Sequence, residues 1–449
     1  MNRIHQKRPI ELIIRPFQEF AEEETSGGIL LLLCTGIALA WANSPWSNTY
    51  FSLWQTKVTI GLGQFVLSKP LLLWINEGLM TIFFLVVGME IKREVLVGEL
   101  ASPKQSAFPI AAALGGMLVP AGIYTALNAG GPGGAGWGVP IATDIAFSLG
   151  VMALLGNRVP LALKVFLTAF AIVDDIGAVL VIALFYTKEI SWVALIIGAG
   201  FLILLLMANQ AGVQRPLVYG LLGIGLWLAF LESGVHATVS GVLLAMAIPS
   251  RARINPSEFL SRSRAILEEF ERAGEYGNEV IMNEDRQAAI HALERACTFV
   301  ETPLQRLEHT LHPWVTFAIL PLFALANAGV TLSRDLLSGL LHPVSLGVIF
   351  GLVIGNQVGI TLFAWLSVRI GLAAKPAGTT WGQIYGVGWL GGIGFTMSIF
   401  IANLAFGESQ LLSLAKVGIF TASIIAGMGG WILLRAMSPI PQEAVEESS

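Results

Sequence analysis

Long apolar runs alternate with short polar breaks along most of this chain. Twelve apolar stretches stand out, near residues 27–42, 71–91, 106–127, 138–155, 161–186, 191–208, 215–231, 235–249, 313–330, 345–368, 383–405 and 413–435. A helix needs about 20 mostly apolar residues to cross a bilayer. The pattern therefore predicts an all-α polytopic membrane protein with about 12 transmembrane helices. The one sizeable polar interruption, 251–312, contains Arg251, Arg253, Arg262, Arg264, Glu268, Glu269 and Glu271 and closes on Arg306 and Glu308. It reads as one or two surface helices, too short and too charged for a separate catalytic domain. Residues 1–26 are charged and amphipathic without a cleavable-signal pattern, and are expected on the membrane surface. The predicted order is that segment, spans 1–8 within 27–250, the polar loop 251–312, spans 9–12 within 313–436, and a disordered tail over 437–449.

Composition strengthens this picture. Apolar residues make up 55% of the chain and charged ones 12%, against about 25% charge in soluble domains. Mean hydropathy is +0.72. The 49 glycines suit helices that approach closely in lipid. Cys34 and Cys297 give neither a disulfide framework nor a metal set. Nothing calls for a cofactor, and no basic patch with interleaved aromatics points to nucleic acid. With twelve spans, 21 of the 26 Lys and Arg residues fall on the side of the N-terminus and 5 on the other. Positive residues favour the cytoplasm, so both termini are expected there.

Ionisable groups inside spans are costly in lipid and mark function by default. The outstanding case is Ala-Ile-Val-Asp174-Asp175-Ile-Gly-Ala, mid-way along the fifth stretch. Two acids side by side in a poorly solvated place do not both ionise freely. Such oxygens can hold protons or a hard cation in turn. The competing structural reading is a carboxylate pair satisfied by neighbouring hydroxyls or an arginine. A second acid, Asp144, follows Pro140-Ile-Ala-Thr143 in the fourth stretch, which comes after the loop Gly130–Trp137. Proline and Thr-Asp are helix-start signals, so this span is expected to break into two half-helices, with Asp144 offsetting their positive N-terminal ends. The eleventh stretch has a matching weakness at Gly391-Gly392-Ile-Gly394-Phe-Thr396-Met-Ser398. Paired interruptions in corresponding halves point to a transporter site. A third group of charges includes Glu77 in the second stretch and Glu90, Lys92, Arg93 and Glu94 at its inner end. It is joined by Arg306, Glu308, His309 and His312 before the ninth. These residues read either as interfacial anchors or as a pH-sensing set. His236, in Gly-Val-His-Ala-Thr, reads as a packed polar residue.

Four segments carry a resemblance to a known family: Thr143-Asp-Ile-Ala-Phe-Ser-Leu-Gly, Ala-Ile-Val-Asp174-Asp175-Ile-Gly-Ala, Leu320-Pro-Leu-Phe-Ala-Leu-Ala-Asn-Ala-Gly and Gly392-Ile-Gly-Phe-Thr-Met-Ser-Ile-Phe. They are similar to the NhaA family of bacterial sodium/proton antiporters, and the likeness runs from about residue 11 to 435 apart from 251–300. The resemblance implies inverted repeats over spans 3–5 and 10–12, with spans 4 and 11 discontinuous where they cross. It implies Asp174 and Asp175 as the carboxylates that bind Na+ (and Li+) or H+. Thr143 and Gly394 would line the site, and Asp144 would compensate the helix ends. Glu90, Arg93, Glu94, His236, Arg306, Glu308, His309 and His312 would serve pH response, with Glu77 standing where the family often has aspartate. The implied setting is the bacterial inner membrane, and the implied assembly a homodimer. Two departures stand out. The family usually has a lysine that pairs with the first aspartate, where this chain reads Gly355-Asn356-Gln357-Val-Gly-Ile, so Asn356 must compensate the helix ends there without a charge. The loop at 251–312 is also longer than the family's.

Two other classes fit less well. An intramembrane aspartyl protease brings its two acids from different helices, one in a Gly-x-Gly-Asp motif that is absent from this chain. A sodium-coupled symporter of related fold would need a larger polar cavity for its organic substrate.

Overall fold

The structure is a computed structural model that describes residues 9–62, 65–187, 189–252, 254–272, 284–331 and 339–437. Almost all regular structure in it is helical, as an apolar medium requires: only a helix or closed barrel bonds its own amides and carbonyls there. Helix α1 (Pro9–Ala42) carries the first apolar stretch and continues unbroken from the polar segment before it. The chain then bends by 113° into α2 (Ser47–Gln55).

A two-stranded antiparallel hairpin follows, β1 (Lys57–Leu62) and β2 (Phe65–Pro70), with Val58 opposite Lys69 and Ile60 opposite Leu67. It departs from the all-helical expectation. The run Val58-Thr59-Ile60 is β-branched, and such side chains suit a pleated ribbon.

Next come α3 (Leu71–Val97) and α4 (Pro103–Asn128). The fourth stretch is a 3-10 helix, Pro132–Ile141, bent 43° against α5 (Ile145–Ala153). Most of the expected loop at 130–137 is therefore already the first half of that span. Helices α6 (Leu161–Phe185), α7 (Trp192–Gln210), α8 (Pro216–Leu231) and α9 (Val239–Ala247) follow. The polar interruption folds as α10 (Pro256–Arg272) and α11 (Glu284–Val300). The chain continues through α12 (Pro303–Asn327) and α13 (Pro343–Arg369). Helix α14 (Trp381–Gly391) is bent 45° against α15 (Phe395–Phe406), and α16 (Gln410–Met437) closes the described chain.

Among the described residues, seven helices are long and apolar enough to cross a membrane, or ten spans if each bent pair is one. Each of the twelve apolar stretches carries a helix. However, α8 and α9, with 16 and 9 residues, are too short to count as full spans by length. Helix α12 starts well before its apolar run, because Thr302 and Gln305 form a capping box ahead of Pro303. Arg306, Glu308, His309 and His312 therefore stand on the span's own helix. The first eight residues and the tail after Met437, both given expectations above, lie outside the described residues.

Glycine sets the closest approach. A Cβ on Gly115 of α4 would sit 2.1 Å from the Gly359 carbonyl of α13, and one on Gly359 would sit 2.1 Å from the Gly115 carbonyl. Three spans also contain a widened π turn, at Trp74–Leu79, Val315–Ile319 and Gly351–Gly355. The last ends directly before Asn356. Such turns re-aim the side chains that follow and concentrate at functional sites.

Candidate functional site

The two broken spans meet at their breaks. The chain leaves the 3-10 helix at Ile141 and enters α5 at Ile145, and it leaves α14 at Gly391 and enters α15 at Phe395. The Asp144 amide donates to the Ile393 carbonyl at 2.6 Å, tying one break to the other. Four half-helix ends expose backbone groups that have no partner within their own helix. Leaving them unpaired in an apolar interior costs about 1–3 kcal/mol each. Asp144 serves both N-terminal ends. Its Oδ1 accepts the Phe147 amide of α5 at 3.2 Å, and its Oδ2 accepts the Thr396 amide of α15 at 3.0 Å together with the Thr396 hydroxyl. One buried carboxyl group thus serves two positive helix ends.

The C-terminal ends are bonded by neutral donors. Ser398 donates to the Val139 carbonyl at 2.7 Å and Asn356 to the Pro140 carbonyl at 3.3 Å. Ser148 donates to Leu390 and Thr143 to Gly391, both at 2.8 Å. Gly394 is required by space, since a Cβ there would lie 2.1 Å from the Ser398 hydroxyl and 3.0 Å from the Ala142 carbonyl.

The acid pair sits against this junction from α6. Asp174 is 1% exposed, and its Oδ2 accepts the Thr143 amide at 2.9 Å. Its Oδ1 is buried and bonded to nothing among the described residues. Asp175, 4% exposed, is the next residue along the helix. The arrangement offers carboxylate oxygens that backbone donors have not consumed, beside the neutral hydroxyl and amide donors of Thr143, Ser148, Asn356 and Ser398 that close the breaks. Oxygen donors of this kind suit a proton or a hard cation.

The expected pH-response residues separate into groups. Arg93 of α3 donates to Glu308 of α12 at 2.5 Å and approaches Glu94 at 3.5 Å, while Glu90 faces His312 at 3.7 Å. These five form one cluster joining the two helices. Arg306 is half-buried, His309 is exposed, and neither makes an ion pair with the cluster. Glu77 lies elsewhere, paired with Lys69 of β2 at 2.9 Å. His236 bonds Thr238 at 2.8 Å and stacks edge-on against Phe400 of α15 at 5.3 Å.

Some functional partners escaped the sequence reading. Ser148 and Ser398 each stand one turn beyond their break, and that shared offset was the available signal. Lys92 donates to the Met246 and Ile248 carbonyls at the end of α9. A favourable cation at a helix C-terminus was hidden there by its crowd of charged neighbours. A buried amide network had no local signal at all: Asn76 and Asn327 exchange bonds at 3.2 and 2.8 Å, and Asn403 donates to Asn327 at 3.0 Å.

Two interrupted apolar spans, joined at a buried acid and flanked by a second acid pair, define a polytopic membrane protein that handles small cations. Comparison with known proteins agrees. The family model described as Na+/H+ antiporter 1 matches residues 18–434, and the chain belongs to that family. The Na+/H+ antiporter NhaA of Oleidesulfovibrio alaskensis is 55% identical over 430 residues, covering 96% of each chain. That of Koribacter versatilis is 51% identical and covers 95% of this chain and 92% of its own. Among solved structures, the sodium proton antiporter of Methanocaldococcus jannaschii covers 95% of this chain at 12% identity, with a TM-score of 0.43.

Proposed function

We infer that the chain exchanges Na+ for H+ across the bacterial inner membrane by alternating access. The observation that carries this reading is the buried Asp174–Asp175 pair beside the break at Thr143. Its oxygens take a cation only when they release protons, so one site serves both ions by exclusion. Asp174 and Asp175 are the ion-binding residues, Thr143 fixes Asp174 through its amide, and Asp144 holds the half-helix ends together. Asn356 replaces a charged group by a dipole aimed at the Pro140 carbonyl. The inverted repeat expected from the family is consistent with the matching hydroxyl bonds at Val139 and Leu390.

Exchange is pH-dependent in this reading through the Glu90–Arg93–Glu94–Glu308–His312 cluster, which joins α3 to α12. Both termini face the cytoplasm in this reading, which the distribution of basic residues supports. The partner is a second copy of the chain, for which the exposed β1–β2 hairpin offers an unpaired strand edge. Proton flux in everted vesicles, measured with Na+, Li+ and K+ in turn, tests the function. Proton release on adding Na+ supports it. A silent response to all three cations in correctly inserted protein overturns it.

A further inference from the structure

A cleft of about 670 Å³ runs beside the broken-span junction, between α1, α5, α15 and α16. Its volume falls within the range of about 300–1,000 Å³ typical of ligand sites. The walls are apolar, and the two hydroxyls in them are committed to backbone: Thr35 donates to the Leu31 carbonyl and Ser423 accepts the Phe395 amide. Leu32, Leu154 and Met428 at its rim are 56%, 66% and 57% exposed. The cleft therefore opens sideways from the spans, toward whatever surrounds them. In a bilayer that is acyl chain.

The cleft has a direction. At one end, Phe395 meets Phe147 of α5 at 4.8 Å and Phe420 of α16 at 5.7 Å. Both helices leave this aromatic junction and run along the cleft to Leu154 and Trp431. Four residues beyond each of these stands an arginine, Arg435 on α16 and Arg158 past the turn at Gly156 that follows α5. Arg435 places its guanidinium 4.8 Å from the Trp431 ring, and Arg158 is half-buried just past Leu154. Neither makes an ion pair among the described residues. An apolar channel with an arginine stacked on its end residue Trp431, and a second close in sequence to Leu154, matches an amphiphile with a long tail and a negative head.

We propose that this cleft binds an anionic phospholipid, with one acyl tail lying along α16 toward Phe395 and the phosphate held by Arg435 and Arg158. The tail would touch Ile393 and Phe395, the residues adjoining the contacts of Asp144, so the lipid braces the junction that holds the two breaks together. This site is independent of the ion-binding reading.

The structure offers clean variants for a test. A Cβ on Gly36 meets nothing within 4 Å, and one on Gly427 meets only Ile393, at 3.6 Å or beyond. Gly36→Leu and Gly427→Leu therefore fill the cleft from opposite walls without displacing backbone. Purified protein is titrated with phosphatidylglycerol or phosphatidylcholine and its bound lipids are counted by native mass spectrometry. A photoactivatable phosphatidylglycerol, cross-linked in parallel, is mapped by peptide. The wild type should retain phosphatidylglycerol in preference and label peptides around 420–435. Either leucine variant should lose one bound lipid. Arg158→Ala with Arg435→Ala should reduce the preference for the anionic lipid about tenfold or more. Unchanged lipid occupancy in both leucine variants overturns the proposal. So does cross-linking that shows the cleft covered by residues 1–25 or by a second copy of the chain.

Discussion

Asp144 accepts the backbone amide of Thr396 at 3.0 Å across 252 residues of sequence. The same carboxylate caps α5 through Phe147, so one side chain fixes the relative position of two broken spans. Asparagine in its place keeps one good acceptor but turns an amide N–H₂ toward donors. Asp144→Asn should lower stability by roughly 1–3 kcal/mol, the cost of a buried donor left without a partner, and should reduce exchange as well. Thermal unfolding in detergent, together with vesicle flux, measures both. Thr396→Val should be milder, because it removes only the hydroxyl bond. Equal effects from the two variants would show that the backbone contact does not hold the junction.

The acid pair gives the second expectation. Asp175→Asn removes an oxygen ligand that can lose a proton, and Asp174→Asn does the same while leaving an acceptor for the Thr143 amide. Loss of a supporting partner alone costs about 10–100-fold in metal affinity, so loss of a ligand should exceed that. Both variants should insert normally and give at least about a hundredfold less cation-dependent proton release. Wild-type exchange by Asp175→Asn protein would remove Asp175 from the site.

Much of this site was legible in local sequence, and the reason is specific. Pro140, Thr143 and Asp144 carry helix-start chemistry, and Gly391, Gly392 and Gly394 cannot sustain a regular apolar helix, so both breaks are written where they occur. What closes each break is not local. The donor to Val139 comes from Ser398 and the donor to Leu390 from Ser148, and only folding sets those pairs face to face. The hairpin at 57–70 was missed because its alternation is brief and lies between two strong apolar runs. Charge type alone also grouped Glu77 with Glu90, although Glu77 faces Lys69 instead. The short α8 and α9 show a further limit, since apolar character marks a segment without fixing how much of it is helical.

His312 and Glu90 lie 3.7 Å apart and connect α12 to α3. Protonated histidine forms an ion pair with the glutamate, and neutral histidine releases it. Histidine is the side chain that ordinarily changes charge between pH 5 and 8. We predict that this tie restrains exchange while the histidine carries a proton and frees it once the proton is lost. His312→Gln cannot make the charged tie, so exchange should persist to lower pH than in the wild type. His309→Gln, an exposed control, should leave the profile in place. A pH profile of vesicle flux that is identical for wild type and His312→Gln would assign the cluster a purely structural part.

The polar excursion between α9 and α12 returns to its starting point. The Ile254 amide donates to the Phe299 carbonyl, and the Leu304 amide to the Pro249 carbonyl, both at 3.2 Å. A short linker can therefore close the chain once about 255–300 is removed. Loop-closure cost grows slowly with length, so the truncated protein should fold and keep measurable transport with an altered pH profile. Complete loss of flux in correctly inserted protein would place α10 and α11 within the transport machinery.

Asn356 is fully buried directly after a π turn, and it offers the Pro140 carbonyl a dipole where the family resemblance implies a lysine. Its Oδ1 has no partner among the described residues. Lysine at this position would bring a full charge to a helix C-terminal carbonyl, favourable by about 0.3–1 kcal/mol and up to about 2 when partly buried. Desolvating that ammonium costs several kcal/mol, so the charge is tolerated only if a carboxylate compensates it, and the family resemblance implies Asp174 as that partner. Protons would then compete less effectively with sodium for the site. Asn356→Lys should accordingly move the onset of exchange to lower pH, and Asn356→Lys combined with Asp174→Asn should unfold at a lower temperature than either single variant. The double variant separates pairing from mere tolerance, because a lysine that reached solvent would be indifferent to Asp174. Onset of exchange at the same pH in wild type and Asn356→Lys, with normal unfolding temperature in the double variant, would show that residue 356 does not communicate with the acid pair.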